Sequence, residues 1–196
     1  MAGWAAAHRI RYLEAGILAY PREIGSEHAV VVYSGPRTLF EQHEAIFTSL
    51  AGRTTYVGEA IGAASAVDCG VLAFYYGATT VLLYGAALAA AEDVDPRAFL
   101  QTARRWLPGL DLVAEMNERM ILEQRYEGGE APLTIHAAAG GYVRQAARAA
   151  GIDTSYVDHL LGHFERAVAA GHGGDELPAL YEVFANRSAH DPGSRP

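Results

Sequence analysis

Residues 58–92 read GEAIGAASAVDCGVLAFYYGATTVLLYGAALAAAE, and how this run is read decides the fold. It contains no proline, is apolar on nearly every side, and carries one carboxylate, Asp68, in its interior. A helix that is apolar all round must be covered all round, so the run is either the central helix of a bundle or a membrane span. Cys69 to Ala91 is long enough to cross a hydrocarbon core of ~30 Å at ~1.5 Å per residue. Its flanks argue against a span. Glu59 and Asp68 stand on one side and Glu92, Asp93 and Asp95 on the other, with no arginine anchor near either end. The expectation is a buried soluble helix and no membrane. Gly70, Gly77 and Gly85 allow close helix approach in either setting.

The 196 residues, 51% of them apolar, suffice for a sizeable core and suit one domain or slightly more. Fifteen basic against 23 acidic residues give a net charge of −8, which repels phosphate backbones and excludes nucleic acid as an expected partner. Cys69 is the one cysteine, so no disulfide forms within the chain, and a reducing, cytoplasmic location is expected. All the basic residues are arginine, which removes Schiff-base chemistry from consideration. The N-terminal MAGWAAAHRIRYLEAG shows no secretory leader pattern.

Before the long run, RIRYLEAGILA and HAVVVYSG read as two short strands joined through Pro21 and Gly25. PRTLFEQHEAIFTSLAG reads as a helix opened by Pro36 and ended at Gly52, and TTYVG as a third strand. This is a small sheet with one helix and an open edge near residues 9–14. After Glu92 the pattern is helical throughout. Asp95 and Pro96 start a helix that Pro108 closes or kinks, and GLDLVAEMNERMILEQRYEGG follows as a second, ended by Gly128 and Gly129. PLTIHAAAGGYVRQAARAAG, a segment capped by Asp153 or Thr154, and LPALYEVFAN complete the set. No strand followed by G-x-G-x-x-G and a helix occurs, and the glycines at 171–174 follow a helix instead.

With that organisation laid out, YLEAGILAYPREIG, VVVYSGPRTLFEQHEAIFTSLAG, YVGEAIGAASAVD and AGIDTSYVDHLLGHFERAVAAGHGGDELPAL, in that order, resemble the imine reductases and NADPH-dependent reductive aminases of the β-hydroxyacid dehydrogenase superfamily. The resemblance runs from about Arg11 to Phe184. It implies a Rossmann domain, a long interdomain helix and a helical domain through which two subunits intertwine, with the active cleft between subunits. This chain resembles the second portion only. The fold expected is therefore mainly α, a helical bundle built on one long central helix, preceded by a small α/β remnant of three short strands and one helix from a Rossmann-type domain. The expected division is 1–58, partial Rossmann-type segment; 59–186, substrate-binding and dimerisation domain; 187–196, disordered tail.

The resemblance also implies roles. Hydroxyacid-specific members carry a lysine early in the long helix, where this chain has Ala66. Asp68, six residues after Gly62, resembles the aspartate of certain imine reductases, and Tyr76 a pocket residue of the reductive aminases. A carboxyl group in an apolar pocket can donate a proton when neutral or stabilise an iminium when ionised. Asp68 suits both, and is the expected catalytic residue; the alternative is pairing with an arginine of a neighbouring helix. Tyr75 lies nearer the Asp68 meridian than Tyr76 and is a possible pocket wall or a core aromatic. His136 and His172 are further candidates for lining the cleft, with a bundle boundary and a turn beside Asp175 as their plainer roles. His159 and His163 have i, i+4 spacing, but no third ligand motif completes them, and no metal is expected. Trp106 reads as an interface aromatic.

The leading functional expectation is a homodimeric portion of an NADPH-dependent imine reductase acting on an imine, amine or carbonyl compound. A nucleotide-binding domain from elsewhere would complete it, either a nucleotide-binding partner protein or a start of the reading frame absent from this sequence. Two alternatives remain at this point: a cofactor-independent dimer using Asp68 as acid or base for cyclisation or isomerisation, and a binding scaffold without turnover.

Overall fold

The computed structural model describes residues 1–185; the expected tail, 187–196, lies outside them. Contacts divide the chain into two compact units, Met1–Val81 and Leu82 onward.

The first unit is organised by a three-stranded sheet in the order β1 (Glu14–Leu18), β2 (Val30–Ser34), β3 (Arg53–Gly58). β1 runs antiparallel to β2 with Gly16 opposite Val32, whereas β2 and β3 are parallel with Val32 opposite Thr55. A parallel pair needs a crossover, and α2 (Arg37–Leu50) supplies it. The alternation of β2 then sorts its side chains. Val31 and Tyr33 face α2, where the Tyr33 ring stacks on Phe47 at 4.5 Å and Phe40 meets Tyr56 at 5.2 Å. Val32 faces the opposite side, toward the long helix α3 (Ala63–Ala91). A short helix at the start, α1 (Ala2–Ala7), was not anticipated; its alanines have the highest intrinsic helix propensity.

The expected burial of α3 on every face is not provided by this chain. Among its 29 residues only Ala64 is buried, Val71 to Thr80 are all exposed, and Phe74 and Leu83 are 69% and 62% exposed. By length and composition α3 could also cross a membrane, as the reading of its sequence noted.

A second correction concerns Pro108. Two helices were expected to meet there, but α4 runs unbroken from Pro96 to Glu123, with Asp95 capping Arg97 N–H at 2.8 Å and a left-handed Gln124 at its end. Proline costs the helix one backbone hydrogen bond, and α4 has no buried residue, so water can serve the freed carbonyl. Gly128 and Gly129 accordingly lie beyond the helix end instead of forming it.

The core of the second unit lies between α5 (Leu133–Ala149) and α6 (Ser155–Ala167), with α7 (Leu180–Phe184) and the turn before it packed alongside. Leu133, Val157, Leu161, Phe164, Ala167 and Ala179 form its buried cluster. Gly140 sets the α5–α6 distance, because a Cβ there would lie 2.7 Å from Leu161 Cδ2. Asp153 rather than Thr154 provides the capping side chain of α6, accepting from Ser155 N–H at 3.0 Å. Leu133 is 0% exposed, so Leu133→Ala is expected to cost about 2–5 kcal/mol, read as a lower midpoint in urea unfolding at unchanged slope. Gly140→Val should destabilise the same unit by forcing the two helices apart.

Candidate functional site

The first turn of α3 is fastened to the sheet by one carboxylate. Glu14, half-buried on β1, accepts from Gly62 N–H at 2.6 Å through Oε2 and from the Ser65 hydroxyl at 2.9 Å through Oε1. Ser34 of β2 donates its hydroxyl to Glu14 Oε2 at 3.4 Å and accepts from Ala64 N–H at 3.0 Å. Free N–H groups at a helix start carry partial positive charge, so a carboxylate there both satisfies donors and complements the dipole. The Ser65 hydroxyl, joined by backbone N–H groups and Ser34, holds the Glu14 carboxyl below its ordinary value against the partial desolvation that opposes it. Neither Glu14 nor Ser34 stood out in the sequence, because their partners lie 48 and 30 residues further on.

One turn beyond this anchor is Asp68. It is half-buried, and among the described residues no ion pair or side-chain hydrogen bond reaches it. The arginine partner considered as the alternative is therefore not found. Asp68 lies against Gly16, where an added Cβ would come within 2.9 Å of Asp68 Cβ. Strand β1 thus sets both the start of α3 and the seat of Asp68.

Tyr75 is not a core aromatic. Its hydroxyl lies 2.6 Å from that of Tyr20, on the loop after β1, and its ring meets Tyr76 edge-on at 5.3 Å. Tyr76 is exposed and its carbonyl accepts from Thr80. Asp68, Tyr75 and Tyr76 thus share α3 within the first unit, and the structure adds Tyr20 to them.

His136 and His172 belong to the second unit. His136 is half-buried on α5, near Phe164. His172 is only 7% exposed; its Nδ1 is 2.7 Å from Asp175 Oδ2, and its Nε2 is buried without a hydrogen-bond partner. Beside it Glu176, 6% exposed, accepts from Glu130 and Ala131 N–H groups, fastening the loop before α5. Tyr126 donates to Glu182 Oε1 at 2.6 Å. Asp175 and Glu176 thus fasten the turn that carries His172. On α6 the Nε2 atoms of His159 and His163 are 3.2 Å apart, and Arg166 donates to His163 Nδ1. Burial, then the Arg166 charge, lowers the His163 pKa from its ordinary value. No group of three or more metal-ligating side chains occurs among the described residues. Trp106, on α4, is exposed.

A dinucleotide needs a glycine-lined turn between a strand and a helix, open to its phosphates. Gly35, between β2 and α2, stands in such a place, as do Gly58 and Gly62 at the turn from β3 to α3. A Cβ at Gly35 would lie 3.0 Å from Leu13 Cδ2, 3.1 Å from Ile61 Cδ1 and 3.2 Å from Tyr12 O. The space at Gly35 is filled by packing, and at the open β3–α3 turn the Gly62 N–H is already taken by the Glu14 carboxylate, which repels phosphate, so neither turn fits a pyrophosphate.

A family profile described as NADPH-dependent reductive aminase-like, C-terminal domain, matches residues 60–186. The chain belongs to this family. Consistent with that, this reductive aminase-like chain is 29% identical over 187 residues to an NADPH-dependent reductive aminase of Aspergillus oryzae, a match covering 94% of this chain and 63% of that protein. An imine reductase variant of Myxococcus stipitatus solved with NAD+ superposes with a TM-score of 0.86 at 28% identity, covering 93% of this chain and 64% of the other. A reductive aminase of Aspergillus terreus, solved with an NADPH-type cofactor, cyclohexanone and allyl amine, does so at 0.82 and 31%, with the same coverage. The reductive aminase-like chain thus spans slightly under two thirds of the length of these relatives. Its mainly helical fold with a small three-stranded sheet agrees with theirs.

Because its hydrogen bonds, Ser65 first, hold the folded Glu14 carboxyl below its ordinary value, its anchor contributes fully above the unfolded value and is lost as pH falls through the depressed folded one. Glu14→Gln is expected to lower the Tm by a few degrees at pH 7, with the gap to the unsubstituted protein closing in a thermal series carried well below pH 4.5.

Proposed function

We propose that this reductive aminase-like chain is the substrate-binding and dimerising portion of an NADPH-dependent oxidoreductase that reduces C=N bonds or carries out reductive amination. The observation that carries this reading is α3, an apolar helix exposed on nearly every face that nonetheless seats an unpaired carboxylate. A second copy laid along α3 would take Phe74, Tyr76 and Leu83 out of water and turn the surroundings of Asp68 into a groove. There Asp68 binds an imine, amine or carbonyl compound. Ionised, it stabilises an iminium nitrogen; protonated, it gives its proton to the nitrogen.

Residues 1–58 act in this reading as a partial Rossmann-type segment, and 59–186 as the helical domain. NADPH, named for the relative from Aspergillus oryzae, is held by a nucleotide-binding domain, carried by a second polypeptide or by sequence preceding these residues, that packs on the first unit. Two features support that packing. β1 is an edge strand whose outer backbone groups are open to pairing. Beside it an apolar groove of about 410 Å³ is lined by Leu13, Ala15, Ile17, Ile24 and Leu50. With a single cysteine, the protein suits the reducing cytoplasm.

The test mixes the chain with NADPH and a cyclic imine, with and without a Rossmann-type partner, following NADPH absorbance. Reduction is expected only in the complete mixture, and Asp68→Asn should lower turnover by about 10²- to 10⁴-fold. Turnover without nicotinamide that Asp68→Asn abolishes would replace this reading with cofactor-free acid–base chemistry. For the dimer, sedimentation should give twice the chain mass, and Phe74→Glu with Leu83→Glu should halve it; a monomer from the outset would sink the shared groove.

A further inference from the structure

β1 and the loop after it meet α3 at three heights. Glu14 holds the first turn, Gly16 lies against Asp68 in the second, and Tyr20 reaches Tyr75 further along. Tyr20 is itself fixed: its N–H donates to Glu23 Oε2 at 2.9 Å, and the Arg22 guanidinium sits 4.9 Å from its ring centroid. The hydrogen bond to Tyr75 raises the Tyr20 pKa from its ordinary value, so Tyr20 keeps its proton at neutral pH.

Two hydroxyls bring two protons, and only one serves the bond between them. The other O–H is left to donate outward. Tyr75 stands seven residues after Asp68, about 10 Å along an ideal helix and about 20° round it. Long side chains on a helix lean toward its N-terminus, which carries the Tyr75 ring back over the turns separating it from Asp68. Carboxylate and hydroxyl pair therefore follow one another along one stripe of α3.

We propose that the Tyr20–Tyr75 pair is the hydrogen-bond-donating wall of the Asp68 site. Tyr75 gives its O–H to an acceptor oxygen of the ligand, and Tyr20 is the positioning residue that aims it. The ligand class is an amine or iminium compound with a carbonyl or ether oxygen several bonds from the nitrogen. This rests on the reading of Asp68 as the group that takes the cationic nitrogen.

Calorimetry on the 196-residue chain with 5-methoxypentylamine and heptylamine, equal in chain length, separates the two ideas. The affinity ratio of ether amine to alkyl amine is expected to fall about 3- to 10-fold in Tyr75→Phe, the worth of one net hydrogen bond. Tyr20→Phe should lower the same ratio, and the double variant should be no lower than Tyr75→Phe alone, because the two hydroxyls act as a unit. Asp68→Asn should weaken both amines alike and leave the ratio unchanged. A ratio unmoved by Tyr75→Phe, or tyrosine effects that add, would overturn the wall while leaving Asp68 in place. Indifference of both amines to Asp68→Asn, or no binding of either by the unsubstituted chain, would overturn the Asp68 reading and the wall with it.

Discussion

Apolar side chains on a helix lower their free energy only when something other than water covers them, and α3 is apolar on every side. Its own chain covers almost none of it. Everything proposed for the protein's working state follows from that uncovered surface: a second copy along the helix, a groove that exists only in the assembly, and a small ligand meeting Asp68 there. The neighbouring α4 is also left uncovered but is amphipathic, with Trp106, Leu107 and Leu112 exposed among its arginines and carboxylates and no buried residue along its length.

A helix with so little lateral packing needs its position set some other way, and the sheet does this at one end. Glu14 and Ser34 close off the free N–H groups of the first turn, and Gly16 lets β1 approach until only a hydrogen side chain fits against Asp68. These contacts bring a strand and a helix together across about fifty residues of sequence, which is why a short α/β segment without a nucleotide cradle still has a structural task. It registers the helix that holds Asp68. The second unit solves a comparable problem differently, using buried Glu176 to hold the loop that leads into α5 and the His172–Asp175 pair to close the turn beside it.

Much of this was legible before any coordinates. β-branched runs bounded by Pro and Gly marked the strands, Asp95-Pro96 marked a helix start, and the ordered run of motifs marked the family. Pro108 was misleading, since proline's local penalty is tolerable in a solvated helix long enough to supply the remaining hydrogen bonds. Tyr75 was harder to judge, because whether a tyrosine hydroxyl finds a partner depends on a loop 55 residues away.

The amino-acid sequence by itself determined the element types, the apolar character of α3 and the lone carboxylate within it, because these depend on composition and period along a continuous stretch. Only the tertiary structure decided what those residues touch. It left Asp68 without an arginine, paired Tyr75 with Tyr20, anchored α3 through Glu14 and filled the space at Gly35. Each of those outcomes is a contact between segments distant in the chain, and no local pattern encodes which distant side chain will arrive.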